Sequence, residues 1–196
     1  MPARFVLKAT HGWNMNLLVH DKAALDVAAA TAQAREWLGR NHYADTYEWG
    51  YRDVRPRLLA EAMLDGENGD GPADYKFHVF HGRVRMLAVH TGRFGLHRLT
   101  YFDEAMCRLP VRKKTPPDAD LKLPAEIDAL IGMAERLGGP FDYVRVDLYL
   151  AGGAIRFGEL THYNDGACGP YTPQSYDRTL GDMWQLDTRR GTLRRR

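Results

Sequence analysis

Alternating apolar and polar positions between residues 143 and 161 predict a β-hairpin. The apolar positions of its two arms are Val144, Val146, Leu148, Leu150, Ile155 and Phe157. A period of two residues is typical of strands that have one face on a core. A Gly-Gly pair separates the two arms. This hairpin is the clearest structural element that the pattern predicts.

The same reasoning predicts an α+β chain along its whole length. Strands are predicted over residues 4–8, 15–20, 57–64, 75–81 and 83–90. Helical spacing predicts helices over residues 23–38, 124–137 and 180–186. Asp21 is the expected N-cap of the first helix, and Pro124 is expected in the first turn of the second. The strand at 57–64 is expected to be buried, and residues 93–98 are expected to form a loop.

Two carboxylates, Asp147 and Glu159, lie in the otherwise apolar or aromatic arms of the hairpin. A loop with an odd number of residues would place them opposite each other, with Cβ atoms roughly 4.5–5.5 Å apart. A two-residue loop would pair Leu148 with Phe157 and Asp147 with Gly158. The glycines permit both loops. Carboxylates that lie opposite each other repel unless one is protonated or a divalent cation lies between them. The pair suggests a site for a hard cation, although one salt-bridged and one exposed carboxylate is the commoner arrangement in a hairpin.

Cations precede these carboxylates along the chain. Lys8 ends the first strand, before a small polar loop whose backbone N–H groups are suited to phosphate, although an ordinary hairpin has the same pattern. Lys76 lies in the second hairpin and Arg93 follows it, while Glu61 lies in an apolar strand. Lysines for phosphates and carboxylates for Mg²⁺ are the groups that an enzyme of metal–nucleotide chemistry needs. The chain contains no GxxxxGK[ST], HRD or DFG motif, which excludes a P-loop or kinase-type site.

Composition excludes several other classes. The chain is 44% hydrophobic and 27% charged with a net charge of +2, as in ordinary globular proteins. It has no apolar run long enough for a membrane span. Its two cysteines lack metal-binding spacing, which favours reduced thiols and a cytoplasmic location. Basic residues cluster only in a tail at 189–196, expected to be disordered, so nucleic-acid binding is not predicted.

Four blocks of the sequence resemble the ATP-grasp domain, most closely its TupA-like (teichuronopeptide biosynthesis) branch. They are FVLKATHGWNMNLLVHDK, PRLLAEAML, DYKFHVFHG and FDYVRVDLYLAGGAIRFGELTHYNDGA, in family order over residues 4–181. The resemblance implies an ATP-grasp fold, with two antiparallel-sheet subdomains and flanking helices holding ATP between their sheets. The implied boundaries are 1–62 for the small lid subdomain and 63–188 for the large one. Because the chain begins at the Lys8 strand, an N-terminal acceptor subdomain is expected to be missing.

The resemblance also implies site residues. The implied nucleotide contacts are Lys8, His11 and Gly12 near the phosphates, Glu61, Ala62 and Leu64 at the adenine and ribose hinge, and Lys76. Lys76 and Arg93 match cations near the transferred phosphate, and Asp147 and Glu159 match Mg²⁺ ligands if they lie opposite each other. Many relatives have Asn where this chain has Thr161, so Asn164 and Asp165 are alternative third ligands.

The activity that the resemblance implies is ATP-dependent carboxylate–amine ligation through an acyl phosphate, with ATP and Mg²⁺. The implied acceptor is a small molecule, glycan or peptide in the synthesis of a cell-surface polysaccharide or peptide polymer. A protein partner that supplies the acceptor site fits the missing subdomain. The alternative is an ATP-binding regulatory or partner subunit without ligase activity of its own.

Overall fold

The computed structural model describes residues 1–64, 71–93 and 95–186 of the 196-residue chain. The chain divides into two compact units, residues 1–64 and residues 65–196. One antiparallel sheet lies in each unit, of three strands in the first and five in the second. The fold is therefore α+β with two antiparallel sheets. The predicted basic tail at 189–196 lies outside the described residues.

The first unit is a small sheet with a short helical cover. Its strands lie in the order β2-β1-β3 and are β1 (Phe5–Ala9), β2 (Asn16–Val19) and β3 (Leu58–Ala62). Its helices are α1 (Val27–Gly39), α2 (His42–Thr46) and a short 3-10 helix (Trp49–Tyr51). Ala9, Met15 and Trp37 form its buried cluster, which joins the sheet to α1.

Two predictions for the first unit were wrong. Helix α1 begins at Val27, because the Asp26 side chain accepts the Ala29 N–H at 2.9 Å and caps it. Asp21 instead accepts from the Ala23 N–H in a preceding turn. Strand β3 forms as predicted but is not buried, and Leu59 is 46% exposed. An edge strand of a three-stranded sheet has few neighbours to cover it.

The second unit is built on a larger sheet of order β6-β5-β4-β7-β8. Its strands are β4 (Asp74–Phe80), β5 (Arg83–Thr91), β6 (Arg98–Asp103), β7 (Tyr143–Ala151) and β8 (Ala154–Thr161). Its helices are α3 (Ile127–Gly138), a short 3-10 helix (Asn164–Ala167) and α4 (Ser175–Met183).

Both faces of this sheet are partly covered. Leu130 and Ala134 of α3 are fully buried in one core with Phe77 and Val146. The other face has a second core, formed by the following residues: Phe80, Met86, Ala88, Leu99, Tyr101, Val111, Tyr171 and Leu180. As a result all seven residues of the central strand β4 are buried, polar ones included. The polar side chains of β4 therefore need partners within the protein.

Three element bounds in the second unit differ from the predictions. Helix α3 begins at Ile127, and the Pro124 carbonyl accepts the Ile127 N–H in a turn before it. Residues 98–103, expected to begin within a loop, form β6. The last helix spans Ser175–Met183 rather than 180–186. None of the helices in the described part of the chain is long and apolar enough to cross a bilayer.

Candidate functional site

The β7–β8 hairpin has a register that neither sequence alternative described. Its turn is the two-residue Gly152-Gly153, with φ of 59° and 71°, and Leu148 pairs with Phe157, as expected for a two-residue loop. A β-bulge then adds one residue to β8, so that Asp147 nevertheless pairs with Glu159. The prediction that facing carboxylates require an odd loop was therefore wrong.

Gly158 is the extra residue that makes this register possible. A Cβ atom at this position would lie 2.9 Å from Cε2 of Tyr149 and 3.0 Å from the carbonyl oxygen of Asp147. These distances are too short for any side chain without movement of the strand. The glycine therefore permits the close approach that brings the two carboxylates to one face of the sheet.

Lys76 joins the buried acidic groups of the two central strands. It lies directly opposite Asp147 in the β4–β7 register and forms an ion pair with it. Its Nζ also lies 2.9 Å from Oδ2 of Asp74, two residues earlier on the same face. The same Oδ2 accepts from Nη1 of Arg93 at 2.6 Å. Lys76 and Arg93 are thus brought together through Asp74.

Arg145 lies at the centre of the residues considered as metal ligands. Its Nε and Nη2 donate to the two Asp147 carboxylate oxygens at 2.7 and 2.8 Å. Nη2 also donates to Glu159 Oε1 and to Thr161 Oγ1, each at 2.9 Å, and Nη1 donates to Asn164 Oδ1 at 2.7 Å. Asp165, the remaining alternative ligand, instead pairs with Lys113. A guanidinium therefore holds together the group that was predicted to surround Mg²⁺.

We call the charged set Asp74, Lys76, Arg93, Arg145, Asp147 and Glu159 the charged network. It contains three carboxylates and three cations joined by ion pairs. Burial alone would raise the pKa of Asp147, but hydrogen bonds from Arg145 and the charge of Lys76 hold that pKa below its ordinary value. Burial raises the pKa of Asp74, and Lys76 only partly offsets this effect. Asp147 is therefore the firmly ionised carboxylate of the buried pair.

The donors of the network suit a divalent cation in their chemistry. Asp147 and Glu159 present carboxylate oxygens, which Mg²⁺ prefers, on adjacent strands in direct register. Among the described residues there is no cluster of three or more His, Cys, Asp or Glu side chains placed to hold a metal. A cation bound here would take carboxylate oxygens that now accept from Arg145.

In the first unit, Lys8 and Glu61 lie on one face of the small sheet and form an ion pair. Their side chains are 44% and 46% exposed, so the pair is accessible to a ligand. Ala62 pairs with Phe5 at the end of β3, and Leu64 follows two residues later. Strand β3 therefore carries Glu61 on an accessible edge rather than in a core.

The loop between β1 and β2 is anchored at several points. The His11 ring is buried, and its Nε2 lies 2.8 Å from the Trp37 carbonyl oxygen. A Cβ atom on Gly12 would lie 2.6 Å from the His42 ring, so only glycine fits there. Trp13 Nε1 donates to Glu48 at 3.1 Å. The His11 side chain therefore points towards α1. A ligand that approaches this loop would meet the backbone at His11 rather than the imidazole.

Three charged or titratable groups on the larger sheet, on the face that carries the charged network, were missed by sequence reasoning. Asp74 is fully buried, and its Oδ1 has no hydrogen-bond partner among the described residues. Arg145 and His90 are the other two. His90 Nδ1 lies 2.9 Å from His97 Nε2, and burial, with the nearby Lys76 charge, lowers the His90 pKa to about 3. The spacings Asp74-x-Lys76 and Arg145-x-Asp147 could have indicated Asp74 and Arg145, because residues two apart in a strand lie on the same face.

Comparison with known families places these residues in context. The profile of the TupA-like ATPgrasp family matches residues 1–185, which includes both sheets and every residue of the charged network. No curated protein shows significant sequence similarity to the chain. The matched length covers most of the 196 residues, so the match is to the whole described fold and not to a single motif. The chain belongs to the TupA-like ATPgrasp family.

Proposed function

We propose that this protein is an ATP-dependent carboxylate–amine ligase. A substrate carboxylate oxygen attacks the γ-phosphorus of ATP, the bond to the β–γ bridging oxygen breaks, and ADP leaves. An amine then attacks the acyl carbon, loses a proton and displaces phosphate, which yields an amide. The observation that carries the proposal is the charged network, found on one sheet face of an ATPgrasp family member.

The cations of the network are suited to the charge that moves in this reaction. Phosphoryl transfer relies on positive groups placed in advance around the transferred phosphate oxygens. Lys76 and Arg145 are held by buried carboxylates, so their positions are fixed before a ligand arrives. Arg93 has a side chain that is 45% exposed, which makes it the most accessible cation of the network. We assign these three residues to phosphate binding and charge stabilisation.

Asp147 and Glu159 are the residues that we propose to hold Mg²⁺. When bound, the ion supplies positive charge to the phosphate oxygens of the nucleotide. Asp147 is held ionised by Arg145 and Lys76, and Glu159 presents a side chain that is 59% exposed. The two carboxylates thus provide one buried and one accessible oxygen donor.

The first unit is proposed to contact the nucleotide through β3 and the β1–β2 loop. Lys8 is assigned to phosphate, with the loop backbone at His11 and Gly12. Glu61, Ala62 and Leu64 are assigned to the adenine and ribose. The supporting observation is the accessibility of the Lys8–Glu61 pair. Because both side chains are exposed, a ligand can replace either partner of the ion pair.

The acceptor is proposed to belong to the synthesis of a cell-surface polysaccharide or peptide polymer, with the reaction in the cytoplasm where ATP is supplied. The support for this assignment is the chain's membership of the TupA-like ATPgrasp family. The ligation itself needs no protein nucleophile, because the acyl phosphate is the activated species.

Thermal unfolding tests the nucleotide site directly. ATP with Mg²⁺ should raise the melting temperature, since selective binding to the folded protein stabilises it by mass action, whereas adenosine should have little effect. Arg93→Gln should weaken ATP binding about tenfold, the loss expected for one charge-assisted contact. Arg85→Gln is the matched control, because Arg85 pairs with Glu104 outside the network. An equal shift with adenosine, or no shift at millimolar ATP, would contradict the proposal.

A further inference from the structure

The position of Arg145 has a consequence for metal binding. We infer that Arg145 is a resident cation that excludes divalent metal from Asp147 and Glu159 until nucleotide phosphates bind. The inference rests on the proposed function of this site and adds an order of binding to it. Metal and nucleotide would bind well together and weakly apart.

The first support is the set of hydrogen bonds. Five hydrogen bonds join the guanidinium to four side chains: Asp147, Glu159, Thr161 and Asn164. These side chains include both proposed metal ligands and two of the three alternatives for a third. The guanidinium nitrogens occupy donor positions on the same oxygens that a metal ion would use. Arg145 and a metal ion therefore compete for one set of ligands.

The second support is the balance of charge. Three carboxylates and three cations leave the network formally neutral. A divalent ion entering alone would lie close to Arg145 and Lys76, and like charges repel strongly in a buried site. Nucleotide phosphates entering alone would meet cations that are already paired. Together, phosphates attract Arg145 and Lys76, and the carboxylates become available to the metal.

The third support is the unequal burial of the partners. Asp147 is 1% exposed, whereas the Glu159 side chain is 59% exposed. Oε1 of Glu159 accepts from both Arg145 and Thr161, and the 2.7 Å bond from Thr161 can persist without the guanidinium. Arg145 can thus leave Glu159 and Asn164 on the accessible side while keeping a bond to buried Asp147. This partial release is the movement that the inference requires.

Binding of Mn²⁺, a spectroscopic substitute for Mg²⁺, tests the exclusion without any reaction. Electron paramagnetic resonance of the full chain without nucleotide gives the free and bound ion. Arg145→Met should bind Mn²⁺ at least about tenfold more tightly than wild type, within the range usual for coupled sites. Arg85→Met, which removes a cation outside the network, should leave Mn²⁺ affinity unchanged.

A non-hydrolysable ATP analogue supplies the second arm of the test. It should tighten Mn²⁺ binding to wild type about tenfold or more, and this gain should shrink in Arg145→Met because the competing cation is absent. If folded Arg145→Met binds Mn²⁺ no better than wild type, the inference is overturned. If no nucleotide binds to wild type, the proposed function fails, while the Mn²⁺ comparison still decides whether Arg145 excludes metal.

A milder variant covers the case in which Arg145→Met does not fold. Arg145→Gln removes the positive charge but keeps an amide N–H that can donate to Asp147, and circular dichroism can confirm its fold. It should raise Mn²⁺ affinity about threefold without nucleotide, because no guanidinium then competes for the two carboxylates. Unchanged Mn²⁺ affinity in folded Arg145→Gln would overturn the inference.

Discussion

Among the described residues, two lysine–carboxylate pairs join neighbouring β-strands, and the two pairs differ in burial, in geometry and in the number of charged groups around them. Lys8 and Glu61 lie diagonally on β1 and β3, with side chains 44% and 46% exposed. Lys76 and Asp147 lie directly opposite each other on β4 and β7, with side chains 11% and 1% exposed. Within the described part of the chain the first pair has no third charged partner, whereas the second belongs to the charged network.

The difference shows what each sheet can do with a ligand. An exposed pair contributes about 0–1 kcal/mol, so a phosphate or ribose can replace either partner at little cost. A buried pair contributes little as a whole but is costly to break, because the remaining charge stays buried. The first unit thus offers charges that are free to change partners. The second holds its charges in place before binding.

The largest expected effect is a loss of stability when the buried pair is broken, compared with breaking the exposed pair. Asp147→Asn removes the charge that balances Arg145 and Lys76, and it should lower the free energy of unfolding by about 3 kcal/mol. This value is at the low end for a broken buried pair, because Asp74 and Glu159 keep bonds to the same cations. Glu61→Gln, the matched change in the exposed pair, should cost less than about 1 kcal/mol. Chemical denaturation followed by circular dichroism measures both, and equal losses would remove the distinction.

Acid should lower the free energy of unfolding through His78, a buried histidine of β4. Burial, assisted by the charge of Arg145, lowers the pKa of His78 to about 3, from an ordinary value of 6.5. Between these values the unfolded chain takes up a proton that the folded protein does not. Stability therefore falls as the pH drops from 6.5 towards 3, by about 1.4 kcal/mol per pH unit for this histidine.

The comparison of variants isolates this contribution from the other titrating groups. Unfolding free energies of wild type and His78→Gln are measured from pH 6 to 4.5. The slope of stability against pH should be lower by about 1.4 kcal/mol per pH unit in the variant. His20→Gln, a change at an exposed histidine, is the control for replacing a histidine by glutamine. An unchanged slope in His78→Gln would mean that this histidine is protonated in the folded protein.

The third effect concerns the helix that covers the larger sheet. A Cβ atom on Gly138 would lie 2.6 Å from Cγ1 and 2.8 Å from Cβ of the fully buried Val79. Gly138→Ala should therefore cost about 1–3 kcal/mol through overpacking. Gly132 on the same helix faces open space, and Gly132→Ala should stabilise by about 0.5–1 kcal/mol through helix propensity. Thermal and urea unfolding distinguish the two, and a neutral Gly138→Ala would show that the helix can shift on the sheet.

The sequence predicted the elements of this fold better than their exposure or their exact contacts. Period-two patterns identified β4, β5, β7 and β8, since strands with a covered face must alternate. Exposure of β3 was not predictable, because its apolar letters do not reveal how many strands lie beside it. The bulge at Gly158 was missed for a related reason, since a glycine in a strand can mark a bulge or nothing.

The charged site was predictable only in part. Asp147, Glu159 and Lys76 were proposed from their positions, and the structure brings Lys76 and Asp147 together. The contacts of Arg145 were missed, because an arginine in a half-buried strand usually points to solvent. Three of its four hydrogen-bonding partners lie in β8 and the 3-10 helix that follows it. Asp74 was hidden for the same reason, as its burial depends on coverage of β4 from both faces.

The bulge in β8 also separates the tip of the hairpin from the site. A Cβ atom on Gly152 or Gly153 would meet no atom within 4 Å. The bulge changes the register between the tip and the Asp147–Glu159 pair. The tip is therefore a suitable place to insert a fluorescent reporter peptide or an affinity tag. A reporter at the tip would detect nucleotide binding from a position a few residues away, while Asp147 and Glu159 keep their pairing.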